Sequence, residues 1–152
     1  MSSSTEMRAA TEVRVSLSAL AANIRRVLRA QPDAVIDLQA DALGHGVGEV
    51  ARVAQAVGAH TLLVDDFGHR ALTAQLTKVV LTQNPARAVT NEVYGLADGF
   101  TPAMSLHGWV SGLKPLRAGE AVSYGYTHRA SHDTAVALVT GGYAQGIVRG
   151  LG

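Results

Sequence analysis

The pattern of apolar and polar positions divides this chain into two halves of different rhythm. From Thr11 to Leu17 the residues alternate, with Val13, Val15 and Leu17 on one side and Glu12, Arg14 and Ser16 on the other. That period of two predicts a half-buried strand. Ser18 is placed to cap the helix that follows. Leu20, Ile24, Val27 and Leu28 then recur at helical spacing and form one apolar face, which Gln31-Pro32-Asp33 ends. Ala34 to Leu38 is a short, almost unbroken apolar run, the signature of a strand covered on both faces. A glycine-rich turn follows over Asp41 to Gly48. A helix is expected from about Glu49 to Val57 with Val50, Val53, Ala54 and Val57 inward, stopped at Gly58. Thr61 to Val64 reads as another buried strand, Gly68 to Leu76 as a helix, and Val79 to Leu81 as one more strand. This alternation predicts parallel strands joined by crossover helices.

The second half loses the long period. Gln83 to Asn91 is irregular, and short β-type runs follow at Met104 to Val110, Gly119 to Ser123 and Thr134 to Thr140, punctuated by glycines. Frequent turns with a period near two argue for an antiparallel β module. The expected organisation is a tail over residues 1–10, read as disordered, an α/β portion over 11–90 and a β portion over 91–152.

Composition narrows the classes of function. Apolar residues make up 47% of the 152, aromatic ones 5%, and the net charge is +1 with 16% charged residues. Such a balance offers no electrostatic case for nucleic acid or an anionic membrane. There is no cysteine, so disulfides, thiolate metal sites and cysteine nucleophiles are excluded. Residues 1–10 do not form a signal peptide, and no apolar run approaches a membrane span, which makes a soluble, cytoplasmic protein the expectation. The six histidines show no paired metal-ligand spacing; His128 and His132 stand four apart in a loop. Asp65-Asp66, just past a strand, reads as a pair of helix-start or loop acids. Gly44-His45-Gly46-Val47-Gly48 carries two glycines of a dinucleotide fingerprint, but Glu49 stands where the third belongs, so a nicotinamide site is rejected.

Three motifs carry a resemblance. Gln39-Ala40-Asp41-Ala42-Leu43-Gly44-His45-Gly46 follows the first buried strand; Leu113 to Gly125 contains Val122-Ser123-Tyr124-Gly125; and Gly142-Tyr143-Ala144 lies nineteen residues beyond Tyr124. Together they resemble the alanine racemase family, fold-type III pyridoxal-phosphate enzymes that interconvert L- and D-alanine, a peptidoglycan precursor. The resemblance implies a βα-barrel domain followed by an antiparallel β domain, pyridoxal phosphate as cofactor, a small amino acid as substrate, and a homodimer. It also implies roles. The Schiff-base lysine of the family falls on Gln39, whose amide can neither form an imine nor carry a proton. A tyrosine that reaches the cofactor phosphate falls on Leu43. Tyr124 corresponds to the acid/base tyrosine on the opposite face, delivered from the partner subunit; its pKa, near ~10 in an unperturbed phenol, would need lowering by cations such as His128 and Arg129. Tyr143 either lines the substrate site of a partner chain or is a core tyrosine on a β-turn. Tyr94-Gly95-Leu96 resembles the end of the last barrel strand, which puts the pyridine-binding arginine at Ala88 and the phosphate-binding amides at Thr90 and Asn91. Arg87 is one residue out of register and so turns to the other face.

A closed barrel takes ~250 residues. The fold class expected here is therefore α/β: a partial, open barrel-like parallel sheet followed by part of an antiparallel β domain. The exposed edges leave three outcomes: a small open sheet, a dimer that covers the open faces, or an unstable product. Functionally the chain reads as a shortened, degenerate racemase relative, impaired by the loss at position 39. The alternative is a non-catalytic binding or oligomerisation module, or a decayed fragment.

Overall fold

The computed structural model describes residues 11–148 other than 75 and 77; the tail expected over 1–10 lies outside them. The chain forms two compact units, one of residues 14–105 and one combining the segment up to residue 13 with residues 106 onward. The division thus comes after residue 105. Residues 91–105, assigned above to the β portion, pack in the α/β unit, because Val93, Tyr94 and Ala103 are buried in its core.

In that unit Ser16 caps α1 (Leu17–Ala30), its hydroxyl accepting from the Ala19 amide at 3.2 Å. The cap is therefore Ser16 and not Ser18, and Leu17 opens the helix instead of extending the strand. Strand β1 (Thr11–Val15) stands outside the four-stranded parallel sheet and pairs with β6 (Met104–Gly108) in a two-stranded sheet. Val13 is exposed, so the alternation there does not mark a buried face.

The expected helical face of α1 is buried: Leu20, Ile24 and Val27 reach the core, with Leu28 packed at its margin. The core sheet is β2 (Val35–Asp37), β3 (Thr61–Leu63), β4 (Val80–Thr82) and β5 (Ala88–Val89) in the order β4-β3-β2-β5. All pairs are parallel, with Ile36 beside Leu62 and Val89, and Leu62 beside Leu81. The segment read as irregular, 83–91, thus supplies a strand. Two residues are too few for a periodicity to appear in sequence.

After β2 comes α2 (Gln39–Gly44), in which Ala40, Asp41, Ala42 and Leu43 all have φ between 51° and 56°. The expected turn is thus one turn of left-handed helix, a geometry costing roughly 1–2 kcal/mol per L-residue unless its surroundings hold it. Helix α3 (Val47–Ala56) buries Val50, Ala51 and Ala54, and α4 (Asp66–Leu72) follows β3. The short α5 (Asn91–Tyr94) ends at Gly95, whose φ is +76°; a β-carbon there would meet the Thr101 carbonyl oxygen at 2.0 Å. Asn23 is the buried polar residue of this core. Its Nδ2 donates to the Val93 and Thr101 carbonyls at 3.1 and 2.8 Å, and its Oδ1 accepts from the Thr101 amide at 3.1 Å. It ties α1 to residues 93–101. Arg26, one turn further on, lies over the Phe100 ring and donates to Gly99.

The second unit is antiparallel, as its rhythm predicts. Strands β7 (Val110–Leu116) and β10 (Thr134–Val139) pair over most of their length, and β8 (Ala121–Val122) pairs with β9 (His128–Arg129). A 3-10 turn covers Tyr143–Gln145. Among its described residues only Leu116 and Ala130 are buried apolar side chains, while Leu113 and Leu138 are 74% and 70% exposed. No helix among the described residues is long and apolar enough to cross a membrane.

Candidate functional site

In parallel α/β sheets chemistry gathers where the strands end. Here that end is organised by aspartates. Asp37, the last residue of β2, accepts from the Gln39 amide through Oδ1 at 3.0 Å and from the Thr90 hydroxyl through Oδ2 at 2.6 Å. The Asp37 carbonyl accepts from the Tyr94 hydroxyl at 2.6 Å. Asp65, just after β3, accepts from the Gly68 amide through Oδ1 at 2.8 Å, capping α4, and from the Ala40 amide through Oδ2 at 3.0 Å. Both hydrogen bonds hold its carboxyl below the ordinary value, since they favour the charged form. Asp41 accepts from the Val47 amide at 2.7 Å and so closes the left-handed turn onto the start of α3. Gln83, after β4, donates to Asp66 at 2.6 Å.

Tyr94 anchors the floor. Burial first, and then the charges of Asp37 and Asp41, push its phenol well above the ordinary tyrosine range. His45 stacks on it with ring centroids 4.6 Å apart, and its Nδ1 lies 2.9 Å from the Ala42 carbonyl. The structure therefore gathers Gln39, Leu43, Thr90 and Asn91 into one unit. Gln39 and Asn91 are exposed, Leu43 is 41% exposed, and the Thr90 hydroxyl is engaged by Asp37. Arg87 (φ 63°) pairs with Asp33, and its carbonyl accepts from the Val35 amide, so it stands at the N-terminal ends of β2 and β5. Asp37, Asp65 and the Tyr94 hydroxyl were not foreseen as the fasteners of this site. The one available signal was an acid closing each of two apolar runs.

Tyr124 and Tyr143 meet within the other unit. They are 76% and 63% exposed, and a side-chain hydrogen bond from one phenol to the other, with their electrostatic coupling, raises the Tyr124 pKa above the ordinary value. Of the expected cations, Arg129 donates to the Gly119 carbonyl at 3.1 Å, and His128 lies in β9. Tyr124 follows Ser123, which takes a left-handed conformation (φ 66°) and so turns the chain out of β8.

Residues 103–152 match the family model described as the alanine racemase C-terminal domain. Alanine racemase of Mycolicibacterium vanbaalenii (strain PYR-1) is 53% identical over 53 residues, 35% of this chain and 14% of that protein. Alanine racemase of Mycobacterium avium (strain 104) is 48% identical over 67 residues, 40% of this chain and 17% of that one. Over this stretch the chain is similar to the C-terminal domain of alanine racemases. Its matched stretch spans less than a fifth of the length of these relatives. The fold agrees: alanine racemase from a D-cycloserine-producing Streptomyces lavendulae superposes with a TM-score of 0.74 at 16% identity, over 95% of this chain and 77% of that one. The Streptomyces coelicolor A3(2) enzyme gives 0.73 at 16% identity, over 91% and 76%. A further fold neighbour, alanine racemase from Bartonella henselae, is described with covalently bound pyridoxal phosphate, at TM-score 0.67 and 11% identity over 93% and 78% of the two chains.

Proposed function

We propose that this chain is a non-racemising relative of alanine racemase, in which the frame of the active site persists without its proton-transfer pair. The observation that carries the reading is residue 39. It follows the strand end at Asp37, leads into the left-handed turn, and is a glutamine. An amide offers neither the nucleophilic amine nor the acid/base group that two-faced proton exchange at a Cα requires. Tyr124 supplies at most one face, and its raised pKa moves it away from service as a base near neutrality. General acid–base catalysis contributes ~10²–10⁴-fold, and loss of a covalent anchor removes more.

On this reading the four-stranded sheet is the remnant of the family's barrel, and Gln39, Leu43, Thr90 and Asn91 are its altered cofactor positions. Tyr124 and Tyr143 are the tyrosines of a subunit that meets a second subunit. Assembly as a homodimer is supported by the exposed apolar side chains of β7 and β10. The test is a coupled assay of L- to D-alanine conversion with the purified chain and excess pyridoxal phosphate. Formation of D-alanine no faster than in the protein-free control is expected. Turnover at an enzyme-like rate, abolished by Tyr124→Phe, would end the reading.

A further inference from the structure

We infer that the C-terminal end of the parallel sheet in this chain does not hold pyridoxal phosphate, because the segments leaving its strands carry carboxylates and no lysine or arginine, and its own aspartates occupy the backbone donors around residue 39. The inference rests on the reading above only in placing the family's cofactor at this end of the sheet.

A phosphate is bound by N–H groups turned toward it and by nearby positive charge. Both are missing. The amides of Gln39, Ala40, Val47 and Gly68 all donate to carboxylates, namely Asp37, Asp65, Asp41 and Asp65 again. The segments that leave the four strands, residues 38–48, 64–69, 83–86 and 90–95, contain no lysine or arginine. They contain Asp41, Asp65, Asp66 and Glu92, and Asp37 ends β2 beside them. Their imidazoles are His45, stacked against Tyr94, and the exposed His69. Arg87, the basic residue nearest in sequence to β5, is paired with Asp33 at the other end of the strands. The left-handed turn that presents residue 39 is itself held by these carboxylates. An incoming phosphate would face like charge and would have to displace Asp37 or Asp65 from the turn they stabilise.

The test compares the unchanged chain with Gln39→Lys, using pyridoxal phosphate and phosphate-free pyridoxal at pH 8. Circular dichroism and a sharp thermal transition establish that each is folded. Equilibrium dialysis of the unchanged chain should retain neither compound. For Gln39→Lys, condensation of amine with aldehyde releases water, borohydride delivers hydride to the imine carbon, and peptide masses locate the label. Label at position 39 is divided by that at Lys78 and Lys114 in the same sample. This ratio should differ by less than about threefold between the two aldehydes, less than ~0.7 kcal/mol of preference. Retention of pyridoxal phosphate by the unchanged chain, or a larger advantage for the phosphorylated aldehyde, overturns the inference. If Gln39→Lys does not fold, the dialysis result alone decides. Pyridoxal phosphate retained without racemisation defeats this inference alone; racemisation without retention defeats the preceding reading alone.

Discussion

The two units differ in how much of each is held by a core of its own. In the α/β unit twenty buried apolar residues form one core, and Gln39, Thr90 and Tyr94 all hydrogen-bond to Asp37 at the end of β2. The β unit buries only Leu116 and Ala130 among its described apolar residues. Tyr124 and Tyr143 meet outside its strands, and Leu113 and Leu138 on β7 and β10 face water. A core is maintained by many small packing terms, each of which penalises change whatever the activity. A catalytic side chain is maintained by activity alone. The α/β unit is thus held by its own packing, whereas the exposed Tyr124 and Tyr143 add nothing to a buried core in the β unit.

This contrast can be broken most directly at the core. Leu62→Ala, at a wholly buried site between β2 and β4, should cost about 2–5 kcal/mol, whereas Leu138→Ala on β10 should stay within ~0.5 kcal/mol. Urea titrations followed by helical circular dichroism measure both, and equal losses would show that the ribbon is covered in solution. A smaller but still large effect is expected for Asn23→Ala. It leaves the Val93 and Thr101 carbonyls and the Thr101 amide without their partner and should cost roughly 1–3 kcal/mol in the same titration.

The strand-end aspartates sharpen the comparison through pH. The Asp65 carboxyl is depressed, so its contribution is fully present above its unfolded value of 3.8 and is lost as pH falls through the lower folded value. Asp65→Asn should therefore be less stable than the parent at neutral pH, with the gap closing below about pH 3.8. A gap independent of pH would mean that Asp65 acts through shape and not charge. The smallest expected effect is spectroscopic. Tyr143→Phe removes the hydrogen bond that raises Tyr124, so tyrosinate absorbance in an alkaline titration should show one phenol ionising at lower pH than in the parent. An unchanged curve would separate the two tyrosines.

Where a face repeats along the chain, sequence was sufficient. The amphipathic face of α1, the buried runs of β2 and β3 and the antiparallel rhythm after residue 104 are each written in consecutive residues, because burial recurs with the period of the backbone. The same holds for the chemistry open to position 39, since an amide is an amide in any fold. The rest depended on partners far apart in the chain. β5 exists because Ala88 and Val89 find Val35 and Ile36, some fifty residues earlier. The boundary between the units lies after residue 105 because Asn23 and the core hold residues 93–103. The left-handed turn at Ala40–Leu43 survives because Asp65, brought in by a different strand, bonds its first amide while Asp41 closes its end. Hydrogen-bond partners of this kind are set by packing in three dimensions, and no local periodicity encodes them.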